Sequence, residues 1–259
     1  MAQVIVIASG KGGTGKTTLT AGLGTALSQR NLRCLCIDAD VGVRSLDLTL
    51  GMYDTALFDF TDVAEERAAL QDAIAVHPRF PQLQLITAPM SRAHIAPDAL
   101  RRVTDAAIRA DVADFILIDA PAGLGEDFRR AAYAADSAIV VSTPDIISLR
   151  SADRTVAALE EMGFQDFRLV VNRVRPRVID RNNTPNIDDA MDMAGLPLLG
   201  YVPEEESVAD RAFHFALLSY ASGIACSRYI SLLRKQKGLE EEAAKSAKRK
   251  KEKEPKNDA

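Results

Sequence analysis

Gly10-Lys11-Gly12-Gly13-Thr14-Gly15-Lys16-Thr17-Thr18 follows the apolar run Val4-Ile5-Val6-Ile7-Ala8 and opens a helical pattern that continues to Gln29. Gly10 and Gly15 bracket four residues and are followed at once by Lys16 and Thr17, the spacing of a phosphate-binding loop between a strand and a helix. Positions without side chains let successive backbone N–H groups turn inward around phosphate oxygens. The helix that starts near Lys16 then directs its positive end at the β-phosphate. The stretch therefore implies a nucleotide site in which Gly12, Gly13, Thr14, Gly15, Lys16, Thr17 and Thr18 hold the phosphates. Lys16 neutralises the β- and γ-phosphates and the Thr17 hydroxyl ligates Mg²⁺.

Outward from this loop, apolar runs alternate with longer amphipathic segments, the pattern of a parallel sheet covered by helices on both faces. The runs predict strands over Gln3–Ala8, Arg33–Asp38, Leu83–Thr87, Asp114–Asp119, Ser137–Ser142, Phe167–Asn172 and Leu198–Tyr201. Helices are predicted over Lys16–Gln29, Pro97–Arg109, Glu126–Ala135, Ser148–Glu160, Ile187–Ala194 and Gly223–Lys237. The fold class is α/β, a single doubly wound, mainly parallel sheet of the P-loop NTPase kind. Residues 1–238 form the domain and 239–259 a charged tail. The 259 residues, 47% hydrophobic, are enough for one large core. Cys34 and Cys36 alternate along a predicted strand, so they share one face as small core residues.

Ligands bind such sheets at the carboxyl ends of the strands. Strand two ends in Asp38-Ala39-Asp40, and the run Phe115-Ile116-Leu117-Ile118 ends in Asp119. A buried strand that presents one carboxylate at the edge of a phosphate site is the Walker B arrangement, with Asp119 contacting Mg²⁺ through water. The Asp-x-Asp pair suits the hydrated Mg²⁺ and an attacking water. After Asp119 comes Ala120-Pro121-Ala122-Gly123-Leu124-Gly125, where Gly123, lacking a Cβ, can bring its N–H close to the γ-phosphate. Asn172 ends a further strand with an amide that both donates and accepts, a fit for an adenine edge.

The second lysine of the loop, Lys11, gives Lys-Gly-Gly-Thr-Gly-Lys-Thr, which resembles the deviant Walker A motif of the MinD/ParA family of ATPases. The segments Asp38–Gly51, Asp119–Gly125 and Thr143–Arg154 are similar to the septum site-determining branch of that family, and the likeness runs from about Gln3 to Lys237. The resemblance implies that Lys11 reaches across a dimer interface to the partner's phosphates, and that Asp40 positions the hydrolytic water. It implies that Asp38 supports that water or the metal shell. Asn172 would read the base, while the segment from Gly200 to Pro203, Glu204 and Glu205 closes over adenine and ribose. The activity implied is ATP hydrolysis with Mg²⁺, coupled to an ATP-bound homodimer and used to place the division site. The implied partners are a division inhibitor and a stimulator of hydrolysis. The alternatives within the family are a DNA-partition ATPase and a flagellar-number regulator.

Composition bears on these. A net charge of −4 offers no strong electrostatic case for nucleic acid. No Cys-x-x-Cys pair occurs, unlike the iron–sulfur carriers of the family. The chain start lacks a secretory signal and no apolar run has membrane-spanning length, so the expected location is the cytoplasm, or the periphery of the inner face of the cell membrane. From Leu239 onward the only large aliphatic is Leu239 itself, and Lys245–Ala259 holds seven basic and three acidic residues. Such a tail is expected to be solvated and to give weak or no membrane binding, since it lacks the apolar face of an interfacial helix.

Overall fold

A computed structural model describes residues 2–91, 94–175 and 185–204. The eight strands of its sheet, in chain order, are β1 (Gln3–Ala8), β2 (Cys34–Asp38), β3 (Ala75–Val76), β4 (Leu83–Ile86), β5 (Phe115–Asp119), β6 (Ser137–Ser142), β7 (Phe167–Val174) and β8 (Leu198–Pro203). Their spatial order is β3-β4-β2-β5-β1-β6-β7-β8, parallel throughout except for the short edge pair β3–β4. The central strands are nearly continuous apolar runs, with Cys in β2, because both faces are covered.

Alternation along each strand splits the interior in two. Val4, Val6, Leu35, Ile37, Ile116 and Ile118 face one layer, with Leu100, Val103, Phe128, Leu149 and Leu159 from the helices. Ile5, Ile7, Cys34, Cys36, Leu117 and Ile139 face the other, against Leu19, Leu23 and Leu27. The helices are α1 (Lys16–Ser28), α2 (Leu46–Leu50), α3 (Phe60–Ala64), α4 (Leu70–Ala73), α5 (Ala99–Arg109), α6 (Glu126–Tyr133), α7 (Ile146–Glu161) and α8 (Ile187–Ala194). The doubly wound α/β reading is borne out, as is the pairing of both cysteines on one buried face.

Several boundaries differ. The segment at Pro97 forms a turn, with the Ala99 N–H donating to the Ala96 carbonyl, so α5 begins at Ala99. The helix expected from Ser148 begins two residues earlier, because the Asp145 carboxylate accepts the Ser148 N–H and caps it. Strand β7 runs past Asn172 to Val174. The short pieces α2, α3, α4 and β3 carry too few residues for a periodic signal. The helix expected at Gly223–Lys237, the boundary at 238/239 and Glu205 lie outside the described residues. Among the described residues no helix is long and apolar enough to cross a membrane.

Candidate functional site

The phosphate loop leaves the end of β1 and folds over one hydroxyl. Ser9 Oγ donates to the Lys11 carbonyl at 2.6 Å and accepts from Thr14 Oγ1 at 3.0 Å and Lys16 Nζ at 3.2 Å. Gly15 caps α1 with φ +95°, and a Cβ there would collide with the Asn172 amide nitrogen, so only glycine fits on both counts. Lys16 is 8% exposed. Burial lowers its pKa, while the charges of Asp119 and Asp40 pull the other way. A buried ammonium held by one hydroxyl at the start of a helix is an arrangement suited to anionic oxygen.

Two carboxylates face this loop from the next strands. Asp38 and Asp119 are register partners at the ends of β2 and β5. Asp38 Oδ1 accepts the Asp40 N–H at 2.9 Å and Oδ2 the Leu46 N–H at 3.0 Å, so it holds Asp40 and the start of α2 in place. Burial pushes its pKa up to about 6; the two backbone donors resist and the charges of Asp40 and Asp47 assist. Asp119 goes further, to about 7, through burial first and then the charge of Asp38; Thr17, Lys16 and Thr20 oppose. Its Oδ1 accepts from Thr20 Oγ1 at 3.3 Å, and its Oδ2 is buried with no hydrogen-bond partner among the described residues. The Thr17 hydroxyl sits 3.4 Å from Ser45 Oγ of the β2–α2 loop.

An orphaned carboxylate oxygen beside a threonine hydroxyl and a second acid fits a divalent cation. No group of three or more His, Cys, Asp or Glu among the described residues forms a cage of its own. Gly123, with φ +89°, lies on the β5–α6 loop.

At the other end, a cleft of about 420 Å³ is lined by Lys11, Gly12, Gly13 and Thr14, by Thr143, Pro144 and Asp145, and by Arg173, Arg175 and Glu204. Arg175 pairs with Glu204, whose N–H donates to the Val174 carbonyl at 3.0 Å. Pro203 ends β8 beside them. Asn172 is 8% exposed; its Nδ2 donates to the Thr14 carbonyl at 2.7 Å and its Oδ1 accepts the Arg173 N–H at 2.9 Å. The structure thus gives Asn172 a grip on the phosphate loop, which sequence reading did not anticipate. Ser9, Thr20, Asp145, Arg173 and Arg175 were also missed, since a lone hydroxyl or arginine carries no spacing signal.

A larger cleft of about 830 Å³ opens between α6 and the approach to α5, and contains none of the predicted site residues. Size alone does not locate the chemistry.

The geometry has close counterparts. Residues 5–216 match the model of the CobQ/CobB/MinD/ParA nucleotide binding domain. The septum site-determining protein MinD of Bacillus subtilis is 36% identical over 218 residues, covering 83% of this chain and 81% of that protein. Among solved structures, the MinC:MinD cell division protein complex of Aquifex aeolicus superposes with a TM-score of 0.82 at 33% identity, covering 89% of this chain and 96% of that one. MinD of Pyrococcus horikoshii complexed with Mg-ADP gives 0.78 at 28% identity, covering 90% and 98%.

Proposed function

The chain belongs to the MinD/ParA family of nucleotide-binding P-loop ATPases, and on that premise we propose that it binds ATP with Mg²⁺, dimerises in that state and hydrolyses it. The observation that carries the reading is the meeting, at the carboxyl ends of the central strands, of buried Lys16, the Thr17 hydroxyl and the partnerless Asp119 oxygen. Buried Lys16 and the partnerless Asp119 oxygen each carry a desolvation cost that a nucleotide–metal complex balances.

In hydrolysis the water oxygen forms a bond to the γ-phosphorus as the bond to the β–γ bridging oxygen breaks, giving ADP and phosphate. When bound, Mg²⁺ would supply charge that compensates the phosphate oxygens. Asp40 orients the water and takes up its proton transiently, held at its station by Asp38 through the 2.9 Å backbone bond. Thr17 and, through water, Asp119 would hold the metal, and Asp38 would support its shell with the lone pairs that the Asp40 and Leu46 N–H donors leave over. Lys16 and the Gly123 N–H contact the γ-phosphate, and the partner's Lys11 adds charge in trans, so assembly and turnover are coupled. Asn172 keeps one donor for the base, and Pro203 and Glu204 close over it.

The likeness to septum site-determining proteins supports a role in placing the division site, and the MinC-bound relative supports a division inhibitor as partner. A stimulator of hydrolysis and a location in the cytoplasm or at the periphery of the inner face of the cell membrane, with weak or no membrane binding by the tail, complete the proposal. The test is ATP-dependent dimerisation followed by light scattering. Lys11→Ala is expected to bind nucleotide as a monomer yet fail to dimerise; normal dimerisation would make Lys11 a bystander.

A further inference from the structure

Lys11 is already engaged within its own chain. Its Nζ lies 3.6 Å from Asp145 Oδ1, with the two side chains 44% and 46% exposed. Asp145 is a fixed counter-ion rather than a loose surface acid. Oδ1 also accepts the Ser148 N–H at 2.9 Å as the cap of α7, and Oδ2 accepts from Thr143 Oγ1 at 2.6 Å. Burial works against its charge, but the bonds from Thr143 and Ser148 and the Lys11 ammonium outweigh it and hold the carboxyl below its ordinary range. The same helix backs the phosphate loop. A Cβ on Gly10 would clash with Ser151 Oγ and lie 2.7 Å from the Ser151 carbonyl and 2.9 Å from Thr155 Oγ1, so the loop packs directly on the helix and its hydroxyl side chains.

We propose that Asp145 is a positioning residue that holds Lys11 in cis at the mouth of the nucleotide cleft in the single subunit, and that this pair must break when the ATP dimer forms. The inference rests on the reading that Lys11 serves the partner's phosphates. One ammonium cannot sit on its own chain's carboxylate and on phosphate oxygens of another subunit unless the two places coincide. An exposed pair of this kind shifts an equilibrium only about 1.5- to 5-fold, and a dimer breaks two. The latch is therefore weak enough for a γ-phosphate to release and strong enough to disfavour pairing without one. It also ties the release of Lys11 to the capped end of α7, the helix against which the loop rests.

Asp145→Asn removes the charge and keeps the cap, because asparagine caps helices as well as aspartate. Asp145→Ser, also a good cap, guards against a variant-specific folding fault. The full chain is titrated by sedimentation with Mg²⁺ and a non-hydrolysable ATP analogue. Both variants should dimerise about 2- to 25-fold more tightly than the parent, with the gap closing as salt rises. Lys11→Ala/Asp145→Asn should stay monomeric like Lys11→Ala. Unchanged or weaker dimerisation of the Asp145 variants, with Lys11→Ala monomeric, would overturn the latch and leave the Lys11 reading standing. A double variant that dimerises would also overturn it. Normal dimerisation of Lys11→Ala would instead sink the underlying reading.

Discussion

At the phosphate end of the cleft Lys16, Asp38 and Asp119 are 8%, 0% and 1% exposed and hang from strand ends or the first turn of α1, whereas at the opposite end Lys11, Arg173, Arg175 and Glu204 stand in water on loops and a sheet edge. The buried set shows raised acid and lowered lysine pKa values, the mark of charges held where solvation is poor. The exposed set is paired by ordinary ion pairs, Lys11 with Asp145 and Arg175 with Glu204. The difference teaches where ligand energy is stored. Buried groups carry a desolvation cost that a nucleotide and metal relieve; exposed groups carry little and can exchange partners.

The largest expected effect is catalytic. Asp40→Ala should slow phosphate release by about 10²–10⁴-fold while nucleotide stays bound. Wild-type rates would reassign Asp40 to a structural turn and remove water orientation from the phosphate end. Next, Lys16→Ala should weaken ATP–Mg²⁺ binding by roughly 30-fold or more in calorimetry, since losing one partner of a buried charged contact costs about 2–5 kcal/mol. Unchanged affinity would break the comparison outright.

Asp119→Asn sharpens it through stability. A carboxyl whose folded pKa is raised to about 7 from 3.8 destabilises the folded state when ionised, most fully above pH 7. The nucleotide-free variant should therefore melt several degrees higher than the parent at pH 8, at about 2–4 °C per kcal/mol. That gain should shrink as pH falls from about 7 toward 4, where the parent's folded carboxyl takes up its own proton. With ATP and Mg²⁺ the order should reverse, because only the parent offers the metal an anionic oxygen. An unchanged melting point at pH 8 would show Asp119 already stabilised in the empty site. Smallest is Arg175→Gln at the exposed end, expected to shift melting by less than about 2 °C, in keeping with a surface pair. A larger loss would show that this rim shares the buried end's energetics.

Much of the phosphate end was legible from residue order alone. A strand, a glycine-bracketed loop and a lysine–threonine pair are local, and Asp38, Asp40 and Asp119 announce themselves as carboxylates ending apolar runs. Period-two alternation likewise placed Cys34 and Cys36 on one face. Expectations failed where the signal was short or the partner distant. Pro97 made a turn, and Asp145 rather than Ser148 set the start of α7, because one side-chain bond decides a cap. The surroundings of Asn172 were least legible, since its Nδ2 donates to the Thr14 carbonyl, 158 positions away in sequence.

By itself, then, the sequence determined the alternation of strand and helix, the phosphate loop and the chemical types at the strand ends, all of which depend on neighbours within a few residues. Only the tertiary structure decided the strand order that sets Asp38 opposite Asp119, the resting of Gly10 on α7, the closure of Lys11 on Asp145 and the isolation of one Asp119 oxygen. The physical reason is that pKa, steric fit and ion pairing are properties of the space around an atom, and packing brings into that space groups that the chain keeps far apart.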